Sequence, residues 1–386
     1  MSELFKYKLL SFVRYLGDAL FYPFFALYLM TTGKTPSEIG FILSITPILS
    51  ILVNPVYANI FKKAKTVRKV LGIITLIEAI VIVLIGYSSN FYLVSVLTVC
   101  LALSGSAHYG LMDSLINLYA NQNNVNYSNI RMYGSIAYII GTTLGGYLIK
   151  FIDYQFCFII AAILFVASGV CYFITKPLVE ESSVDVDTKK INYFSLFKNK
   201  EFLIFFILYF LLMGTMFGTD AFYSVYLESL GISSSQYGIV YSYFVTFEVA
   251  TIIIAGKWFK KVKKEHLLLV SCLCLSIRTF INYSSLPVLV IVACSMFRGI
   301  GYGILLYVSF PLVIKMVGEK ASTFAIMGMS LFQAILVGTI DNLGGKIIDN
   351  YSFKLFYFLA LIVSLLIVIY GVCFCIYNRI KKEKSF

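Results

Sequence analysis

Ten charged side chains stand within long apolar runs of the chain: the acids Asp18, Glu78, Asp113, Asp220, Glu248 and Asp341, and the cations Arg14, Arg131, Arg278 and Arg298. A charge in such surroundings is costly and by default marks a functional group. Two kinds of chemistry fit these types. A carboxylate accepts hydrogen bonds from hydroxyls and can take up a proton. A guanidinium donates in a planar fork and keeps its charge throughout the physiological range. Buried ion pairs that tie helices together are the plain alternative.

Spacing indicates which groups can meet. In an antiparallel helical hairpin, residues equidistant from the turn lie at one depth, because each residue rises about 1.5 Å. Asp113 and Arg131 are centred on residue 122, within the turn Asn121-Gln122-Asn123-Asn124. Glu248 and Arg278 are centred on 263, within a lysine-rich turn, and Arg298 and Asp341 between 319 and 320. All three pairs are depth-matched, although depth does not fix which way a side chain faces. Arg131 and Tyr138, seven residues apart, share one helix face. A carboxylate, a guanidinium and a ring face suit a hydroxyl-rich ring such as a sugar. Packing alone is an equal account of Tyr138, one of 29 tyrosines.

The elements that hold these groups follow from composition. Of 386 residues, 60% are hydrophobic and only 13% charged, against about 25% charged in a soluble domain. That excludes a soluble enzyme. The apolar runs are continuous rather than alternating, which argues against a β-barrel. At about 20 residues per span, the pattern predicts an all-α membrane protein of twelve spans: 8–30, 39–61, 70–88, 91–117, 130–150, 154–175, 202–227, 236–257, 266–284, 286–316, 321–345 and 352–378. Of 31 Lys and Arg, 23 fall on one set of loops and tails and four on the opposite set, the other four being the intramembrane arginines. This bias predicts that both termini are cytoplasmic. The net charge of +12 is therefore a topology signal and not a nucleic-acid one.

The polar stretch 176–201 reads as a cytoplasmic linker between a six-helix bundle at 1–175 and another at 202–386. The halves repeat. Gly33-Lys34-Thr35-Pro36-Ser37-Glu38-Ile39-Gly40 opens the second span and Gly231-Ile232-Ser233-Ser234-Ser235-Gln236-Tyr237-Gly238 opens the eighth, 198 residues on. The basic loop Lys62-Lys63-Ala64-Lys65 meets Lys260-Lys261-Val262-Lys263 at the same offset. Six spans per copy keep the orientation, so the repeat is parallel and its axis runs along the membrane normal.

At this point the chain resembles the major facilitator superfamily, and within it the lactose-permease-like proton symporters of oligosaccharides and nucleosides. The likeness is carried by Gly17-Asp18-Ala19-Leu20-Phe21-Tyr22-Pro23 in the first span and by Arg131-Met132-Tyr133-Gly134-Ser135-Ile136-Ala137-Tyr138 in the fifth. It implies a transporter working by alternating access. It puts Asp113 and Arg131 at the sugar-binding carboxylate and arginine, Tyr138 at the ring that stacks on the sugar, and Glu248 and Arg278 at further charged positions of that group. Two departures stand out. No acid precedes Lys62-Lys63. Ser295-Met296-Phe297-Arg298 stands where the permease has a histidine and its proton-carrying glutamate. Arg298 cannot release a proton, so Asp341 is the first expected carrier, with Glu248, Asp220 and Asp18 as alternatives.

The expected substrate set is thus Asp113, Arg131, Tyr138 and Glu248. The expected ion-pair and proton set is Asp18, Asp220, Arg278, Arg298 and Asp341. The reading is a cell-membrane symporter of a sugar or nucleoside, acting as a monomer with protons and lipids as its other partners. A proton-driven exporter of the same superfamily is the rival, and a membrane enzyme or receptor scaffold the rival of another class. No P-loop, metal cluster or nucleophile–base motif is present, so no cofactor, metal or catalytic residue is expected. The eight cysteines read as buried and inert. Gly141, Gly145 and Gly146 read as close-packing positions, His108 as packed or hydrogen-bonded, His266 as solvated and Trp258 as an interface anchor.

Overall fold

The computed structural model describes residues 2–60, 64–106, 108–176, 178 and 197–383, and among them every regular element is helical. Most of the expected linker and the Lys62-Lys63 half of the basic repeat lie outside the described residues.

Two compact units partition the chain. The first takes residues 1–183 and 222–242. Its helices are α1 (Glu3–Thr31), α2 (Pro36–Ile60), α3 (Ala64–Gly86), α4 (Phe91–Gly105), α5 (His108–Gln122), α6 (Tyr127–Phe151) and α7 (Tyr154–Ile174). The short helix α9 (Tyr223–Ser229) also belongs to it, with the start of α10 (Ser234–Trp258). The second unit takes 184–221 and 243–386. It holds α8 (Lys200–Ala221), the rest of α10, α11 (Lys264–Tyr283), α12 (Val288–Cys294), α13 (Met296–Val317), α14 (Glu319–Asn350) and α15 (Phe353–Glu383).

In the first unit α1 is central, packed on α6 and α7, while α3 packs on α7 and α4. In the second, α11 packs on α15 and α13, and α8 on α14. Apolar side chains such as Leu52, Ile80, Ile163, Leu366 and Ile369 are exposed on the outer faces, the reverse of a soluble protein. In lipid, helices associate through close packing and polar contacts, since lipid tails are as apolar as leucine. The glycines of α6 supply the packing as expected. A methyl on Gly141 would lie 2.6 Å from Cβ of Ala19, and one on Gly145 2.6 Å from the Phe24 ring.

The helix starts are locally specified. Asn90 accepts from the Leu93 amide at 3.0 Å and Asp153 from the Phe156 amide at 2.6 Å, satisfying free amides of α4 and α7. The two repeated turns have one geometry. Gly33 and Gly231 both take positive φ, +80° and +87°, a region open to glycine without strain. Each then closes a reciprocal capping box. The Thr35 amide donates to Glu38 Oε2 at 2.9 Å and the Glu38 amide to Thr35 Oγ1 at 3.3 Å. The Ser233 amide donates to Gln236 Oε1 at 2.8 Å and the Gln236 amide to Ser233 Oγ at 3.4 Å.

Several expectations are corrected. The spans expected at 91–117 and 286–316 each form one long apolar stretch, Phe91–Gln122 and Val288–Val317, the second with its helix broken at Ser295, whereas the span expected at 202–227 ends at Ala221, before a break at Phe222. Around Ser295 the bonding tightens to three-residue steps, Ser295 N to Val292 O and Arg298 N to Ser295 O. Neither Phe222 nor Ser295 is a helix breaker, so periodicity passes straight over both. Eleven stretches of the described residues are long and apolar enough to cross a membrane. The 29-residue α1 is not among them, because Arg14, Asp18 and Pro23 dilute its apolar run. Cys100 and Cys373 are exposed rather than buried: both lie in apolar helices but on outward faces.

Candidate functional site

The charged groups of the helices gather into clusters, which differ between the two units. In the first unit, α5 carries Asp113 and α6 carries Arg131, and the hairpin joins them: Arg131 Nε lies 3.8 Å from Asp113 Oδ1. The two side chains remain 33% and 39% exposed, respectively. The guanidinium stacks over the Tyr15 ring at 4.1 Å, a cation–π contact that fixes its plane. Tyr138 lies two turns along α6, about 10 Å by helical rise. Its ring meets Tyr241 at 5.7 Å instead of the ion pair.

A second cluster in this unit is completely buried. Arg14, Asp18, Glu78 and His108 are each 0% exposed. Arg14 Nη1 reaches Glu78 Oε2 at 2.5 Å and Nη2 reaches Glu78 Oε1 at 3.3 Å, a two-pronged clamp. Asp18, one turn along α1, is held more loosely, at 3.2–3.3 Å from the same guanidinium. His108 Nδ1 stands 3.6 Å from Glu78 Oε2, and its Nε2 bonds the Tyr172 hydroxyl at 3.0 Å. Gly105 makes room: a methyl there would overlap the Glu78 carboxylate. Phe165 covers Arg14 at 4.2 Å.

The second unit holds a chain of ion pairs. Asp220 of α8 bridges Arg278 Nη1 of α11 at 2.5 Å and Arg298 Nε of α13 at 2.9 Å. Arg298 Nη1 continues to Glu248 of α10 at 2.7 Å. The rings of Phe244 and Tyr302 each lie 4.9 Å from the Arg298 guanidinium. Gly299 and Gly303 bring α13 against the α10 backbone, where a methyl on Gly303 would sit 2.7 Å from the Glu248 carbonyl.

Two expected pairings are therefore corrected. Arg278 pairs with Asp220 where Glu248 was expected, and Arg298 pairs with Asp220 and Glu248 where Asp341 was expected. Depth arithmetic compares only hairpin neighbours, and Asp220 arrives from α8, outside both hairpins. Asp341 is 3% exposed, and no cation among the described residues lies within ion-pair distance of it. Its Oδ1 is buried without a hydrogen bond.

The Arg14–Glu78 clamp is what sequence reasoning missed, although both residues were candidates. α1 and α3 are not a hairpin, but they run parallel. Arg14 lies eleven residues into α1 and Glu78 fourteen into α3, within one turn in depth. Counting from the basic ends of like-oriented spans would have matched them. His108 is packed and bonded, as expected, while His266 and Trp258 are exposed. No group of three or more metal-ligating side chains occurs among the described residues.

The comparisons with known proteins agree with this architecture. The chain is 26% identical over 304 residues to a probable 3-phenylpropionic acid transporter of Escherichia coli K12, covering 73% of this chain and 75% of that protein. It is 20% identical over 374 residues to a maltose permease of Geobacillus stearothermophilus, covering 94% and 93%. Among solved structures, a variant of the nucleoside transporter NupG shares the fold with a TM-score of 0.81 at 17% identity, over 97% of this chain and all of that one. A bacterial homologue of the human lysosomal transporter Spinster gives 0.67 at 13% identity, over 98% and 96%. With residues 4–359 matching the profile of the MFS_1-like family, this chain belongs to that family and is a multi-pass membrane transporter of the major facilitator superfamily.

Proposed function

We propose that the protein is a proton-coupled importer of a small hydroxyl-rich solute, a sugar or a nucleoside, which it moves by alternating access. Twelve spans, with α1 as the twelfth, and cytoplasmic termini complete this reading. The equal turns at Gly33 and Gly231 support two parallel repeats, an N-terminal and a C-terminal bundle of six. The observation that carries the solute class is the Asp113–Arg131 pair. It is about a third exposed while the other intramembrane arginines, Arg14, Arg278 and Arg298, are buried, and its guanidinium is held flat on Tyr15. A structural pair would be buried like the rest; an open one has donors and acceptors to offer a solute. Tyr138 and Glu248 complete the proposed substrate set. Asp18, Asp220, Arg278, Arg298 and Asp341 form the ion-pair and proton set.

Uptake into proteoliposomes under an imposed inward proton gradient tests the reading, with radiolabelled maltose, uridine and 3-phenylpropionate as probes. Accumulation of maltose or uridine that collapses with a protonophore is expected. Extrusion of the probes, or uptake of 3-phenylpropionate alone, would overturn it. Arg131→Lys keeps the charge but loses the fork. Apparent affinity should fall about tenfold or more, as expected for one charge-assisted hydrogen bond of about 1.5–3 kcal/mol. Unchanged uptake in that variant removes Arg131 from recognition.

A further inference from the structure

The buried cluster of the first unit carries an imbalance of charge that the proposed substrate pair does not explain. Arg14 supplies one positive charge. Asp18 and Glu78 supply two negative ones, and all three side chains are fully buried. An uncompensated charge at such a site costs several kcal/mol. One proton removes the imbalance, and we propose that the cluster is a proton-binding site in which Asp18 holds the proton and Glu78 is the fixed counter-ion of Arg14.

Geometry chooses between the two carboxylates. Both Glu78 oxygens face the guanidinium, the nearer at 2.5 Å, so Glu78 is the anion that Arg14 neutralises. Asp18 stands at 3.2–3.3 Å from it, and its Oδ1 is buried without a hydrogen bond. Both Asp18 oxygens thus face the same guanidinium, but more loosely than the nearer Glu78 oxygen, which makes Asp18 the weaker-held anion and the one to carry the proton. His108 is the other basic group, with Nδ1 also buried and unbonded. Charging it would put a second cation beside Arg14 at zero exposure. Its Nε2 is already satisfied by Tyr172 in the neutral ring. The other titratable side chains facing the cluster are phenols: Tyr15 and Tyr22 on α1, Tyr57 on α2, Tyr109 on α5, Tyr138 on α6 and Tyr172 on α7. Phenols are uncharged at neutral pH, so none of them supplies the missing charge.

The proton enters from water and returns to water, with no other bond made or broken. With Asp18, Arg14 and Glu78 all at zero exposure, that exchange requires the helices around them to part. Loading and release are thereby tied to a change of conformation. Use of this proton as the coupling ion rests on the symport reading above; its presence does not.

Infrared spectroscopy of the purified full-length protein, titrated with pH in deuterated and ordinary buffer, reads protonated carboxyl groups directly. Two bands are expected from deeply buried acids. One should vanish only in Asp341→Asn. The other should vanish in Asp18→Asn and also in Glu78→Gln, which leaves Asp18 untouched but frees Arg14 to neutralise it as an anion. His108→Gln should leave both bands in place. A second band that survives Asp18→Asn or Glu78→Gln, or that is missing from the wild type, overturns the proposal. Both variants remove the surplus charge, so neither is expected to unfold. Symport is scored separately by the protonophore test. A protein with the Asp18 band whose uptake ignores protonophore keeps the site and loses symport. One with protonophore-sensitive uptake and no such band keeps symport and loses the site.

Discussion

The buried clusters of the two units use the same residue types and reach opposite electrostatic results. In the second unit, Asp220 and Glu248 meet Arg278 and Arg298, two charges of each sign, with the carboxylates 18–19% exposed. In the first, Arg14 meets both Asp18 and Glu78 at zero exposure, with a histidine beside them. A balanced chain of pairs is neutral as built, and it links α8, α10, α11 and α13. An unbalanced one reaches neutrality only with a proton, as proposed above. Charge count and exposure, rather than the presence of acids in a span, separate a tie from a titrating site.

The sharpest way to break this contrast is Arg14→Gln. It leaves the Glu78 carboxylate at zero exposure without its cation, and unfolding stability should fall by about 3–5 kcal/mol. Denaturant unfolding of the purified variant measures it, and adding Glu78→Gln should restore most of the loss. A fall below about 1 kcal/mol in Arg14→Gln alone would mean that the cluster is hydrated rather than dry. Arg298→Gln should cost less, about 1–3 kcal/mol, because Asp220 keeps Arg278 and the carboxylates retain some exposure. An equal loss in both variants would erase the distinction between the units.

Asp341→Asn sharpens the comparison from a third side. A lone buried carboxyl is carried as the neutral acid, for which an amide of the same shape is a fair replacement. Stability should stay within about 1 kcal/mol of wild type, measured in the same unfolding assay. A larger loss would reveal that Asp341 is ionised and paired.

The smallest effect is expected at the surface. Glu3, at the membrane edge of α1, receives Lys6 Nζ at 2.6 Å and the Lys176 amide at 3.0 Å. Slight burial works against its ionised form, but these donors hold the carboxyl below its ordinary value of 4.5. A lowered folded-state value stabilises above the unfolded one and is lost as pH falls through the folded one. Glu3→Gln should therefore cost a few tenths of a kcal/mol at pH 7. Thermal scans should show that difference vanishing once the pH is well below 4.5.

Much of this was legible in the chain. The spans announced themselves because a bilayer demands long apolar runs. The Asp113–Arg131 contact followed from a single turn at residue 122, since a hairpin leaves little freedom in depth. The repeat showed in turn residues, because Gly33 and Gly231 answer to local backbone geometry that sequence states directly. What was hidden depended on azimuth and on partners from distant spans. Glu248 and Arg278 share a depth, yet Asp220 intervenes from α8. Arg298 pairs with acids of α8 and α10 and not with Asp341. The interruptions at Phe222 and Ser295 were hidden for another reason, since neither residue type breaks a helix and the tertiary surroundings decide the conformation there.

The twin turns at Gly33 and Gly231 bear on how the chain is made. Each reverses its direction with bonds spanning three residues, between Thr35 and Glu38 and between Ser233 and Gln236. Such contacts close almost without loop entropy. They are available as soon as the segment leaves the ribosome, before any distant helix exists to pack against. The hairpins α1–α2 and α9–α10 can therefore enter the bilayer as ready-bent pairs, one early and one 198 residues later in synthesis. Substituting Gly33 or Gly231 by a β-branched residue would act first on membrane insertion and yield, ahead of any effect on the finished protein.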